Sequence, residues 1–364
     1  MISHTQRGWI AIWALACMLG LFTSCEDDED GDSFTPPDFT PSQDSSFEVP
    51  GSYNFENVET NAGNYRTALQ QITNLVAAIS EIERNPSDSV TLDELLAFYR
   101  EGSPSLAGLT TPYYHQKLTD PNNGIFKVLA DSSRSDTIFI EGVRSGVHSG
   151  DSSDFFLSDG SEPLQLIEKG LFSAALYHQA ALLLSTRVLS TTDFDRAFVL
   201  FGAPADFPND EGQEDAYGAN YVSDRDNDGA DFYTQIRDGF LTGRAAVAAG
   251  ANDQARQAAQ TIVENWEKGL AATIIHYCGG AQQLFQNGAR QDGFHAYAEA
   301  YAFLDGLHGS SGIITDEEVE DLVAQLKTPT TVLENEEGQT EANLTIVINR
   351  LAQIYGFSDP TIFY

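Results

Sequence analysis

The sequence predicts a mainly α-helical fold, with a single helical, bundle-like domain and long irregular loops. Two observations indicate this. Apolar residues recur at helical spacing through most of the chain, and no long stretch alternates as a strand would, apart from the short run Thr137–Ile140. A third observation places the domain: an apolar N-terminus and an acidic, proline-containing stretch precede it, which indicates a signal peptide and a disordered tether.

Helical periodicity is clearest in four segments. It predicts helices at 64–84, 162–189, 253–277 and 293–307, and further helices at 193–201, 232–249, 315–326 and 341–355. Thr91 and Glu94 have the spacing of a capping box and predict another helix start there. Between 102 and 160 the pattern is poor, so we expect long loops with a few short helices.

The first 24 residues have the character of a bacterial lipoprotein signal peptide. Arg7 is followed by an apolar run that is too short for a comfortable bilayer span, and the run ends in Leu21-Phe22-Thr23-Ser24-Cys25. Small residues before a cysteine resemble a lipobox, which implies cleavage before Cys25 and its acylation, including palmitate. The alternative is an uncleaved membrane anchor with an unrelated cysteine.

Acidic residues dominate the segment that follows the cysteine. We expect 25–50 to be a disordered tether and 51–364 to be the helical domain. An acidic run after a lipidated cysteine resembles a surface-export signal, and the alternative is a merely solvated tether. The expected location is therefore the outer membrane, lipid-anchored and facing either the cell surface or the periplasm.

The formal net charge of −35 limits the partners. Such a chain repels polyanions, so we expect no nucleic-acid partner. Its acidic, lysine-poor composition is typical of halophilic proteins. Cys17 is removed with the signal and Cys25 is acylated, so Cys278 has no cysteine to pair with.

Three residues suggest a divalent transition-metal site. His295 and Glu299 are one helical turn apart, and an imidazole and a carboxylate at that spacing can bind such an ion. If 253–277 and 293–307 form an antiparallel hairpin, His276 lies near them. The alternative is that His276 caps a helix C-terminus, while His295 and Glu299 form an ordinary hydrogen-bonded pair.

A second candidate is a Ca²⁺ loop. Asp224, Asp226 and Asp228 alternate, Gly229 follows, and Asp231 is nearby, as at the start of a calcium-binding loop. The glutamate that usually closes such a loop is replaced by Gln235. The alternative is an acidic loop without a metal ion.

Several short sequence segments, taken in chain order, resemble a family of Gram-negative lipoproteins with a domain of unknown function, number 4856. They are Tyr53-Asn54-Phe55, Gly170-Leu171, Tyr177-His178-Gln179, Asp195-Arg196-Ala197-Phe198, Phe201-Gly202, Gly243-Arg244-Ala245-Ala246, Trp266-Glu267, Ile275-His276-Tyr277, and His295-Ala296 with Glu299, Ala302 and Phe303. The resemblance implies a fold and an envelope location but no activity.

A more distant resemblance is to imelysin-like helical lipoproteins, which are linked with iron uptake. Their hallmark is Gly-x-His-x-x-Glu, and here one extra residue separates His295 from Glu299.

The sequence leaves two functions open. The first is a non-enzymatic binding lipoprotein for a small molecule, a metal ion or a partner protein. The alternative is an imelysin-like metal-dependent protein, either an iron-uptake accessory or a metallopeptidase.

Overall fold

The computed structural model describes residues 46–84, 88–133, 138–140, 143–145, 155–157, 161–207, 215–310, 312–326 and 337–364. The chain divides into two units, 1–40 and 41–364, and every described residue belongs to the second. The predicted signal peptide, Cys25 and most of the predicted tether therefore lie outside the described residues. In the part described, no helix is long and apolar enough to cross a membrane.

The described unit is mainly α-helical, as predicted. Its helices are α1 (Val58–Ala62), α2 (Arg66–Arg84), α3 (Leu92–Arg100), α4 (Leu106–Leu109), α5 (Pro112–Thr119), α6 (Ile125–Ser132), α7 (Pro163–Leu171), α8 (His178–Leu184), α9 (Thr191–Phe201), α10 (Tyr217–Asn227), α11 (Phe232–Ala249), α12 (Asn252–Gln286), α13 (Arg290–Asp305), α14 (Asp316–Leu326) and α15 (Glu337–Tyr355). Short 3-10 turns occupy Gly63–Tyr65 and Pro360–Phe363.

A small antiparallel hairpin completes the described elements. Strand β1 (Ile138–Ile140) pairs with β2 (Val143–Ser145), with Phe139 opposite Arg144. This agrees with the short alternating run in the sequence, and α4, α5 and α6 are the few short helices expected before it.

Helix α12 is the centre of the domain. It packs most extensively against α11 and α13, and it also contacts α15 and α10. Trp266 and Leu270 on α12 are fully buried, and alanines at Ala271 and Ala272 let neighbouring helices approach closely. Buried residues of this long helix belong to one continuous core, which the described residues build without a disulfide.

Helices α7 and α8 form one rod, interrupted by a π-helical segment, Phe172–Tyr177. The segment is buried throughout, and it ends at Tyr177. The predicted helix at 162–189 is thus present but ends at Leu184. A π-segment changes the direction in which the following side chains point, and such segments are frequent at functional sites.

The largest difference from the sequence prediction is the length of α12. The predicted end at 277 is wrong, because the helix continues through Gly279 and Gly280 to Gln286. A Cβ on residue 279 would lie 2.1 Å from Cγ of Tyr364, so glycine here admits an aromatic ring against the helix. Gly279 therefore serves packing inside a helix, whereas a Cβ on residue 280 would meet nothing within 4 Å.

Candidate functional site

The predicted metal-binding residues fall into two separate environments. His295 and Glu299 lie on α13, as expected, with Nε2 of His295 3.7 Å from Oε2 of Glu299. The Nδ1 atom of His295 lies 2.8 Å from Oε2 of Glu162, which is buried just before α7. One imidazole is thus flanked by two carboxylates, and the second of them was not anticipated from the sequence.

A lysine occupies the other side of this group. Lys169 on α7 is buried, with its Nζ 2.6 Å from Glu168 and 3.6 Å from Glu299. Burial raises the pKa of Glu299, and Lys169 and His295 oppose that rise. Burial alone would lower the pKa of Lys169, but Tyr221, Glu168 and Glu299 raise it overall. The lysine therefore already supplies positive charge to Glu299, as a metal ion would.

His276 does not join this group. It lies well inside α12, and its Nδ1 donates to the backbone carbonyl of Phe363 at 2.6 Å. Burial lowers the pKa of His276, and Arg225 lowers it further. The expected hairpin forms between α12 and α13, but α12 is longer than predicted, so His276 is ten residues from its end. The C-terminal cap considered for His276 is therefore wrong as well.

Within the part of the chain that is described, no group of three or more His, Cys, Asp or Glu side chains is arranged to hold a metal ion. The transition-metal site at His276, His295 and Glu299 stays a prediction. The structure adds Glu162 and Lys169 to its surroundings and places His276 elsewhere.

The predicted calcium loop differs in shape from the expectation. Asp224 and Asp226 lie within α10, so successive alternate carboxylates point to different sides of a helix and do not converge. Asp226 accepts from the backbone N–H groups of Tyr233 and Thr234, at 2.9 and 3.0 Å. This carboxylate therefore caps the N-terminus of α11, a role that the sequence pattern did not show.

The other two acids of this loop also have protein partners. Asp228 forms an ion pair with Arg225 at 3.0 Å, and Asp231 accepts from Gln235 at 2.8 Å. The Ca²⁺ site at Asp224, Asp226, Asp228 and Asp231 stays a prediction, and any ion would have to replace these contacts.

A cavity of about 190 Å³ lies beside α13, and none of the predicted site residues belongs to its lining. Most of its lining is apolar or aromatic, with three polar residues at Lys117, Asn123 and Ser161. The remaining lining residues are Ile125, Val128, Leu157, Leu166, Tyr297, Ala298 and Tyr301. An apolar cavity of about 150 Å³ accepts benzene, so this one has room for a small organic molecule.

Lys117 is the charged residue of the cavity wall. Its Nζ lies 2.5 Å from Oδ2 of Asp305 and 3.1 Å from the hydroxyl of Tyr301, over whose ring it also lies at 4.8 Å. Asp305 is fully buried and accepts a second hydrogen bond from Tyr113 at 2.9 Å. Burial alone would lower the pKa of Lys117, but Asp305 and Tyr301 raise it overall. The ammonium group therefore stays charged.

Two buried carboxylates join distant segments elsewhere. The carboxylate of Asp195 on α9 accepts hydrogen bonds from the side chains of Arg244 at 2.8 Å, Tyr53 at 3.1 Å and Asn61 at 2.7 Å. Of these four residues, all except Asn61 belong to the short segments that resemble the family. Three of those segments therefore meet here and connect the start of the domain to α9 and α11.

Glu267 on α12 is the second such carboxylate. Its oxygens accept from the hydroxyls of Tyr177 at 2.5 Å and Tyr355 at 2.8 Å, and from the backbone N–H groups of Ile313 and Ile314 at 2.8 and 2.9 Å. Its side chain is completely buried. Position 312 must be glycine, because a Cβ there would lie 1.8 Å from Oε2 of Glu267.

Sequence reasoning missed the cavity residues. Lys117 is one of few lysines, which is a weak signal, and Asp305 lies in a helix that was predicted for its apolar face. Their proximity depends on how α5 packs near α13, and no local pattern encodes that distance.

Comparison with known proteins gives a match to one family model and indicates no activity. No curated protein and no solved structure matches the chain. Residues 190–358, from α9 to just beyond α15, match the model of the family described as "Domain of unknown function (DUF4856)", which confirms the resemblance drawn from the sequence.

Proposed function

We propose that this protein is a cell-envelope lipoprotein that binds a small ligand in the cavity beside α13 and does not catalyse a reaction. The observation that carries the proposal is the cavity itself, with its aromatic and aliphatic walls and a few polar groups. Small-molecule sites have this composition, in which apolar contacts supply affinity and a few polar groups fix orientation.

The size of the cavity limits the ligand to a small ring or a short chain. About 190 Å³ is below the range typical of drug-sized ligands, which begins at about 300 Å³. The rings of Tyr297 and Tyr301 offer flat surfaces on which an aromatic ligand can stack.

The envelope location is a proposal from the N-terminus. An apolar run that ends in a lipobox-like sequence, followed at once by acids, supports lipidation of Cys25 and attachment to the outer membrane on its outer or periplasmic side. Fractionation of a Cys25→Ser variant tests this, since the variant should lose lipid and leave the membrane.

The test of ligand binding fills the cavity. Ala298 lines it and is almost fully buried on α13. We expect ethylbenzene and acetophenone to bind the full chain measurably in ligand-observed NMR. Because a larger side chain occupies their space, Ala298→Leu should weaken binding by at least about tenfold, the factor equivalent to a loss of about 1.4 kcal/mol.

Two further variants make the result decisive. Ala248→Leu adds the same side chain at an exposed position of α11 and should bind like the native chain. Val128→Phe fills the cavity from α6, should Ala298→Leu disturb folding. Undetectable binding of both compounds to the native chain, or equal binding to all variants, would refute the proposal.

The imelysin-like alternative depends on metal. The pairing of His295 with Glu162 and Glu299 is the observation in its favour. Metal analysis of the purified chain, with and without prior chelator treatment, discriminates the two functions. A stoichiometric divalent metal ion that is lost in His295→Ala would favour the alternative.

A further inference from the structure

The chemistry of the cavity wall narrows the ligand class, if the proposed binding function holds. An ammonium group has three N–H donors. Lys117 donates two hydrogen bonds through these N–H groups, one to the carboxylate of Asp305 and one to the hydroxyl of Tyr301. Among the described residues Lys117 makes no third hydrogen bond, and it belongs to the cavity lining, so its third N–H can serve a molecule bound there.

Charge decides what kind of acceptor fits that donor. The positive charge of Lys117 is balanced by Asp305, which is fully buried 2.5 Å away, so the pair as a whole is neutral. An anionic ligand would also have to approach a chain of net charge −35. Transferring a carboxylate out of water without a cation of its own is costly. A neutral oxygen acceptor incurs neither cost.

The side chains that line the cavity also limit the size and shape of the ligand. The cavity is flanked by the rings of Tyr297 and Tyr301 and by the side chains of Ile125, Val128 and Leu166. We propose that it binds small neutral compounds that carry one carbonyl or hydroxyl oxygen on a mainly apolar body, with the oxygen accepting a hydrogen bond from Lys117.

The test compares three probes of nearly equal shape on the full chain: acetophenone, which carries a carbonyl oxygen, ethylbenzene, which carries none, and benzoate, which is an anion. A hydrogen bond from a charged donor contributes enough to predict that acetophenone binds about tenfold more tightly than ethylbenzene. Benzoate should bind more weakly than acetophenone. Dissociation constants are obtained by titration in ligand-observed NMR.

A variant identifies the donor. Lys117→Met keeps the length of the side chain but leaves Asp305 without its cation, so it is combined with Asp305→Asn, which keeps that position neutral. In this double variant acetophenone and ethylbenzene should bind equally. A native chain that binds ethylbenzene as tightly as acetophenone, or binds benzoate most tightly, would overturn the inference. So would a double variant that keeps the preference.

The outcomes separate this inference from the proposed function. Binding that is sensitive to Ala298→Leu but indifferent to the oxygen would leave the cavity as a ligand site and remove only the assigned ligand class. Absence of binding by all three probes would remove both.

Discussion

Two fully buried carboxylates on neighbouring helices are stabilised in different ways. Glu267 on α12 is held by two tyrosine hydroxyls and two backbone N–H groups, whereas Asp305 on α13 is held by the ammonium group of Lys117 and a tyrosine hydroxyl. Around Glu267 the packing is so close that position 312 admits only glycine. Lys117, the cation that pairs with Asp305, instead lines a cavity.

A helical core can keep space for a ligand through the kind of group that holds its buried acids. Backbone donors and rigid rings bring whole segments into contact with a carboxylate, and they leave no room around it. A lysine reaches its partner on a long flexible stem, so the elements that carry the two charges need not pack closely. At these two sites, the closely packed carboxylate and the one whose cation lines a cavity therefore differ in the donors that surround them.

Removal of the Glu267 carboxylate should have the largest effect on the stability of the domain. In Glu267→Ala, four donors lose their acceptor: three are buried, and the backbone N–H of Ile313 is partly buried. Each unsatisfied buried group costs roughly 1–3 kcal/mol, and partial relaxation reduces the sum, so we expect the free energy of unfolding to fall by about 4 kcal/mol. Urea unfolding of the full chain measures this.

The matched control is one turn earlier on the same helix. Glu264 is partly exposed, and its carboxylate interacts with Gln260 on the helix surface. Glu264→Ala should therefore change the free energy of unfolding by roughly 0.5 kcal/mol or less. If Glu267→Ala lowers the free energy of unfolding by less than about 1 kcal/mol, the close packing around residue 267 does not depend on the carboxylate.

A smaller effect on the free energy of unfolding is expected for the partly exposed carboxylate of Asp226. Because Asp226 caps α11 through Tyr233 and Thr234, Asp226→Ala should lower the free energy of unfolding by about 1 kcal/mol in the presence of a chelator. Asp224→Ala is the control, since Asp224 is exposed within α10.

The same variants test the predicted calcium loop. A rise in the melting temperature of the native chain with millimolar Ca²⁺, absent with Mg²⁺ and absent in Asp226→Ala, would establish the site. An equal loss of stability in Asp226→Ala with and without Ca²⁺ would mean that helix capping is the whole role of this residue.

Much of the fold could be predicted from the sequence, because helical periodicity is a local property. The predicted helix at 232–249 coincides with α11, and Thr91 and Glu94 form the capping box that their spacing indicated. The end of α12 was not predictable in this way. Gly279 is a helix breaker in isolation, and only the ring of Tyr364 explains its presence.

The candidate site was predicted only in part, for a related reason. His295 and Glu299 share a helix face because of their spacing, which a sequence shows directly. Glu162 meets His295 only through the packing of α13 beside α7, 133 positions apart in the chain. Lys117 and Asp305 are 188 positions apart, and no spacing rule joins them.

The connection at Asp195 has a mechanical consequence. Tyr53 and Arg244 meet on that carboxylate, and Arg244 also holds the backbone carbonyl of Glu56 and lies over the ring of Phe55. A pulling force applied to the chain ahead of Tyr53 would therefore reach α9 and α11 through a buried ion pair. The load would be borne by the interior of the domain before α1 and α2 could be peeled away.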